Sequence, residues 1–266
     1  VRPDPQAVGR VIREAAAAEI LPRFEKLAHE HVWEKRKGEV VTVVDEAMEA
    51  RLSAALLEIV PNAAIVGEEG VHHEPRLAHA LKEPGPVWII DPLDGTANFS
   101  KGKPVFAVIV AFVESGVTQA GWILDPLNDR LAWGAKGEGA FLGDRRLRLP
   151  QPGDPKQMKG FMAWGLQRYF RNNVPRVLDS LGPVTSRNCA GHEYLDLLDG
   201  NRHFACYWGA KPWDHAAGVL LHAEAGGHAA TKFGAAYRPE MGQEGLVVAP
   251  AEAPWRRING LVFGKD

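Results

Sequence analysis

The chain has little of what several protein classes require. Two cysteines, Cys189 and Cys206, occur in 266 residues, too few for a disulfide scaffold and in keeping with a reducing cytoplasm. The net charge is −2, so no basic footprint for nucleic acid exists. No apolar run has the length that a membrane-spanning helix needs, and the opening Val1-Arg2-Pro3-Asp4 does not read as a signal peptide. His72, His73 and His79 have no accompanying Cys or second His cluster, which removes zinc and leaves them as surface residues. What is present, 45% hydrophobic and 24% charged residues, is the balance of an ordinary globular protein. The length allows one large domain or two tightly joined ones.

The most informative stretch is Trp88-Ile89-Ile90-Asp91-Pro92-Leu93-Asp94-Gly95-Thr96. A short apolar run reads as a buried strand that ends in two carboxylates, followed by Gly-Thr where the backbone turns. Pro92 fixes φ, and Gly95 lets the backbone approach a ligand. Free N–H groups at Gly95 and Thr96 could bind phosphate if a helix starts there. Two carboxylates beside a phosphate repel it unless cations lie between, and Mg²⁺ suits such a hard-oxygen site. The plainer alternative is a turn at Asp94-Gly95 with Asp91 capping a strand.

Around this centre, apolar spacing predicts a helix over residues 5–27 and another from Asp45 to Ile59. Strands are expected at 63–66, 105–113, 119–124, 129–133, 139–142, 204–208 and 245–248, and further helices at 173–181, 212–221 and 252–261. Glu34 to Glu39 reads as a charged, solvated turn, and Phe161 to Leu166 as an apolar segment. The Pro- and Gly-rich stretch from Pro150 to Gly160 marks the boundary between an N-terminal lobe, 1–150, and a C-terminal lobe, 151–266. Asp45 at a helix start has an ordinary reading as a cap, and Glu68-Glu69 as solvated charge.

Three separated acidic motifs, Gly67-Glu68-Glu69, Asp91-Pro92-Leu93-Asp94-Gly95-Thr96 and Trp213-Asp214-His215-Ala216-Ala217-Gly218, stand in an order that resembles the inositol monophosphatase family of Mg²⁺-dependent, lithium-sensitive phosphatases. The resemblance runs from about Lys37 to Gly227. It implies a layered α-β-α-β-α sandwich and, commonly, a homodimer. It also implies two to three Mg²⁺ ions held by Glu69, Asp91, the Leu93 carbonyl, Asp94 and Asp214, and hydrolysis of a small phosphate monoester by an activated water. Thr96, polarised by Asp45 of the Val41-Thr42-Val43-Val44-Asp45 element, would direct that water, with Glu69 also catalytic, and Lys37 would lie on an arm reaching the site.

Two departures bear on substrate. The segment resembling the family's substrate loop reads Cys189-Ala190-Gly191-His192, with Cys189 and Ala190 as candidate wall residues and His192 as a cap or surface residue. Seven positions before Asp214, where an acidic residue is usual, stands Tyr207. A phenol recognises a different partner from a carboxylate. The reading therefore covers inositol 1-phosphate-like esters, with histidinol phosphate, fructose 1,6-bisphosphate and a 3′-phosphoadenosine nucleotide as alternatives, because Tyr207 could stack on an imidazole or a base. A regulatory binding protein on the same fold is the remaining alternative.

Overall fold

The computed structural model describes residues 2–26, 32–36, 39–150, 155–163, 166, 179–240, 242 and 244–264. Helix α1 (Pro5–Glu19) is capped by the Asp4 side chain, which accepts from Gln6 N–H. It ends before Pro22, short of the expected residue 27, because a proline disfavours helix at the residue before it and at its own position. A hairpin of β1 (Val32–Arg36) and β2 (Glu39–Thr42) follows, so most of the charged segment expected as a turn is strand. Lys37 and most of the helix expected over 173–181 lie outside the described residues, as do residues 151–154 of the expected lobe boundary.

Helix α2 (Val43–Ile59), β3 (Ala64–Gly67), α3 (Glu68–His73) and a 3-10 helix (Pro75–Lys82) lead to β4 (Pro86–Asp94) and α4 (Thr96–Phe99). The meander β5 (Ala107–Glu114), β6 (Val117–Asp125), β7 (Arg130–Ala135), β8 (Gly139–Leu142) and β9 (Arg145–Arg146) completes a seven-stranded sheet in the order β3 to β9, parallel only between β3 and β4. The second sheet contains β10 (Gly160–Met162), β11 (Val184–Thr185), β12 (Phe204–Gly209), β13 (His228–Thr231) and β14 (Glu244–Ala249), in the order β11-β10-β12-β14-β13. Helices α5 (Ala190–Leu198), α6 (Pro212–Glu224) and α7 (Glu252–Phe263) belong to this half of the chain.

Side-chain alternation along the strands builds the layers. Trp88 and Ile90, with Val108, Val110 and Phe112, pack against Val8 and Ile12 of α1 and Met48 and Leu52 of α2. Ile89, Ile109 and Ala111 point the other way, into a core shared with Tyr194 and Leu195 of α5, Ala217 and Leu221 of α6, and Ala205, Tyr207 and Val248 of the second sheet. The outer face of that sheet, Phe204, Cys206 and Val247, is covered by Trp255, Ile258 and Val262 of α7. The result is the five-layer α-β-α-β-α sandwich.

The middle layer depends on small residues. A Cβ on Gly218 would stand 2.2 Å from the Tyr194 ring, and one on Gly121 would stand 2.8 Å from Ala217 Cα. Gly218→Ala is therefore expected to destabilise the protein by about 1–3 kcal/mol through overpacking. A lowered urea midpoint with an unchanged slope would show this, whereas an unchanged midpoint would mean that α5 and α6 separate at no cost.

Candidate active site

Strand β4 lies between β3 and β5 and is buried along most of its length. Alternation puts Asp91 on the Ile89 face, toward α5 and α6. The register with β5 shifts between Asp91 and Asp94. This is a bulge at the place where Pro92, lacking an N–H, could not serve the ladder. Leu93 N–H donates to Asp91 Oδ1 at 3.2 Å. Gly95 then takes φ +90°, where a Cβ would stand 2.8 Å from the Val105 carbonyl, so glycine is required. Thr96 opens α4 directly afterwards.

Asp214 comes from the other half of the chain, in the first turn of α6 behind Pro212, where the helix dipole favours a carboxylate. Burial and then the charge of Glu68, with Asp94 and Asp214, hold the Asp91 carboxyl well above its usual range. Asp214 is raised by burial, Glu68 and Asp94, and lies against Asp91. Asp94 is raised chiefly by burial, against hydrogen bonds from α5. Four carboxylates on three separate elements thus crowd one region. Their mutual repulsion is relieved by cations or protons. Among the described residues no group of three or more His, Cys, Asp or Glu side chains is gathered closely enough to hold a metal ion by itself. An open carboxylate group of this kind fits Mg²⁺, which shares its coordination with carbonyls, substrate oxygens and water.

The glutamate that faces this group is Glu68, the first of the pair. Its charge raises the carboxyls of Asp45, Asp91, Asp94 and Asp214 alike. Glu69 is buried, 3% exposed. The local cause is Glu49 of α2, whose carboxylate accepts from Glu69 N–H at 2.8 Å and Gly70 N–H at 2.7 Å. It caps α3, and it occupies the space where a Gly67 Cβ would be, at 2.2 Å.

Thr96 Oγ1 lies 2.8 Å from Asp45 Oδ1 and 2.8 Å from the Leu93 carbonyl. The other carboxylate oxygen of Asp45 accepts from Thr42 N–H at 2.8 Å and Thr42 Oγ1 at 2.6 Å. Asp45 therefore completes the capping box of α2 and orients Thr96 at once. Burial pushes its carboxyl up to about 6, against the hydrogen bonds from Thr42 and Thr96.

A cavity of about 540 Å³ opens beside Asp94 and Asp214, lined by Cys189, Ala190, Glu193 and Tyr207 among others. Cys189 Sγ donates to Asp94 Oδ2 at 3.1 Å, and Gly191 N–H donates to the same oxygen at 2.5 Å. Burial keeps the thiol protonated, so Cys189 is a fixed donor as well as a wall. Tyr207 is flanked by Tyr194, with centroids 6.1 Å apart, and His215, at 4.4 Å. These two rings pack against it, which leaves less of its aromatic surface for stacking an imidazole or a base, and its hydroxyl is buried. His192 is neither cap nor surface residue: it is buried, with Nε2 3.0 Å from the Phe106 carbonyl.

Of the residues singled out in the sequence, Asp45, Asp91, Leu93, Asp94, Gly95, Thr96 and Asp214 are brought together, with Cys189, Ala190 and Tyr207 at the adjoining cavity. Glu49, Asn98 and Glu193 were not signalled. Asn98 Nδ2 donates to Val105 O at 2.9 Å and Arg187 O at 3.0 Å, tying the loop before α5 to α4. Its place directly after Gly-Thr-Ala was the only signal available.

A sequence profile described as the inositol monophosphatase family matches residues 6–262. The chain belongs to this family. It is 31% identical over 236 residues to a fructose-1,6-bisphosphatase/inositol-1-monophosphatase of Aquifex aeolicus, covering 83% of each chain. It is 37% identical over 225 residues to a Nus factor SuhB of Pseudomonas aeruginosa, covering 80% of each. Among solved structures, a Thermotoga maritima IMPase superposes with a TM-score of 0.80 at 22% identity, over 96% of each chain. The extragenic suppressor protein suhB of Bartonella henselae superposes with a TM-score of 0.82 at 22% identity, over 98% of this chain and 100% of that one. These two likenesses carry the sandwich fold. Among the described residues no helix of this family member is long and apolar enough to cross a membrane.

Proposed function

We propose that this family member hydrolyses phosphate monoesters of small alcohols with Mg²⁺. The observation that carries the reading is the meeting of Asp91, Asp94 and Asp214, each with its proton affinity raised by burial and by the charge of Glu68, beside a threonine already oriented by a buried aspartate. Glu68, Asp91, the Leu93 carbonyl, Asp94 and Asp214 would hold two to three ions, with Glu68 in the place first given to Glu69. When bound, Mg²⁺ supplies the positive charge that attack on a phosphate dianion requires.

The chain's own groups do the positioning. Asp45, ionised at neutral pH with its carboxyl at about 6, accepts the Thr96 proton. The Thr96 oxygen is then left to accept a hydrogen bond from the attacking water and aim it at phosphorus. Gly95 and Thr96 open α4 beside the phosphate, and the alcohol extends into the cavity walled by Cys189, Ala190 and Tyr207. Lys37 keeps the part that the family resemblance gives it. Two lobes meeting at this cleft, a homodimer, lithium sensitivity and a cytoplasmic setting complete the proposal.

The test is phosphate release from inositol 1-phosphate, histidinol phosphate, fructose 1,6-bisphosphate and 3′-phosphoadenosine 5′-phosphate, with Mg²⁺ or with a chelator. Mg²⁺-dependent release from one ester far above the others is expected. No release from any of them by folded protein would favour a binding role, the reading that relatives named as Nus factors support.

A further inference from the structure

The family resemblance leads one to expect an acidic side chain on the strand before Asp214, and Tyr207 stands there instead. The cavity nevertheless contains a carboxyl, delivered from another element. Glu193, in the first turn of α5, is 3% exposed and lines the same wall as Tyr207. Its Oε1 accepts from Arg187 N–H at 2.8 Å and from Ser186 Oγ at 3.2 Å. The Arg187 guanidinium does not compensate the charge, because it is turned to Asp196, with Nε 2.7 Å from Oδ2. The Tyr207 hydroxyl is buried beside the Glu193 carboxyl and completes no hydrogen bond of good geometry with any described residue.

A buried phenol without a completed hydrogen bond, and a buried carboxyl with no cation paired to it among the described residues, both carry a desolvation cost that a polar ligand can offset. Burial pushes the Glu193 carboxyl up to about 7, against the hydrogen bond from Arg187 N–H. Ser186 and Asn188 also line this end, while the ring of Trp208 is covered on one face by Lys232 Nζ, 4.5 Å from its centroid. The recognition chemistry here is hydrogen bonding rather than stacking.

We propose that Glu193, with the Tyr207 hydroxyl, determines specificity by accepting a hydrogen bond from a donor group on the alcohol half of the phosphate ester. The acidic contact has moved from strand β12 to helix α5. The donor is a hydroxyl or an ammonium, and an ester of a plain alkyl alcohol lacks it. The proposal rests on the phosphomonoesterase reading for its substrate and is tested so that the two can fail separately.

Glu193→Gln is nearly isosteric and keeps an oxygen for Ser186 and Arg187, but it replaces the second acceptor by a donor. Wild type, Glu193→Gln and Tyr207→Phe would be compared on a cyclic polyol phosphate, an amino-alcohol phosphate and butyl phosphate, by Mg²⁺-dependent turnover and by calorimetric binding in Ca²⁺. Glu193→Gln should lower kcat/KM about 10- to 100-fold for whichever hydroxyl- or ammonium-bearing ester the wild type prefers, mainly through KM. Tyr207→Phe should act in the same direction. The loss on butyl phosphate should be far smaller, and the Mg²⁺ concentration for half-maximal activity should not move. An equal loss on all three esters would overturn the proposal in favour of a structural role. An unchanged preference would overturn it while leaving the phosphatase reading intact. If nothing is hydrolysed but the polar ester binds and Glu193→Gln loses that binding, the specificity proposal stands and the phosphatase reading falls. Equal binding by variant and wild type, with no turnover, overturns both.

Discussion

Asp91→Asn is expected to reduce turnover by roughly 10³-fold or more while making the metal-free protein more stable. The loss follows because Asp91 lies against Asp214, within reach of the charges of Glu68 and Asp94, and is buried. The gain follows from the same placement. Burial and the charges of Glu68, Asp94 and Asp214 hold its carboxyl above the ordinary range, which means that the folded, metal-free protein binds protons more tightly there than the unfolded chain. Stability therefore falls as pH rises from the unfolded value, near 3.8, through the raised one. The buried His215 and His222 work the other way. Burial lowers each to about 3, so the unfolded chain takes up the proton first and stability falls as pH drops below about 6.5. A scan of the wild type mixes the two trends, but the difference between wild type and Asp91→Asn isolates the carboxylate one. The Tm advantage of Asp91→Asn without metal should widen from about pH 5 to about pH 8, at roughly 2–4 °C per kcal/mol for a chain near this size. Added Mg²⁺ should raise the wild-type Tm and leave that of Asp91→Asn nearly unmoved. A metal-free Asp91→Asn protein less stable than wild type at pH 8 would contradict the assignment of Asp91 to an electrostatically strained site.

The strand-bulge-helix unit around Asp91 was legible because local chemistry dictates it. The apolar run, the missing N–H of Pro92 and the positive φ of Gly95 each constrain the backbone without help from the rest of the chain. The meander β5 to β8 was legible for a similar reason, apolar runs separated by Gly-containing turns. Helix α5 was not. Gly191 is a weak helix former and Cys189 contributes no side-chain cap, so the segment reads locally as a loop. What turns it into a helix comes from 97 residues away, where Asp94 Oδ2 takes the Gly191 N–H at its start. Glu193 was hidden with it, since its closeness to Tyr207 exists only once α5 packs into the middle layer. Glu49 was hidden because a glutamate on an amphipathic helix is ordinarily solvated. Only the N-terminus of α3 above it gives it a partner.

The largest remaining consequence concerns two adjacent residues that sequence cannot separate. Glu68 and Glu69 open the same short helix, and successive side chains of a helix point about 100° apart. Glu68 faces the aspartates, and Glu69 is buried. The Glu49 cap on Glu69 and Gly70 N–H sets the choice, by fixing how α3 leaves the end of β3. The charge of Glu68 reaches Asp45, Asp91, Asp94 and Asp214. Glu68→Gln should therefore cost about 10²-fold or more in kcat and raise the Mg²⁺ concentration needed for half-maximal activity, with little change in Tm. Glu69→Gln should show the reverse pattern, a measurable loss of stability at its buried position and a metal dependence close to wild type. Calorimetric titration of Mg²⁺ into both variants reads the same difference without turnover. If Glu69→Gln weakens metal binding and Glu68→Gln does not, the facing glutamate is the second of the pair, and α3 must turn by about one residue when the ions bind.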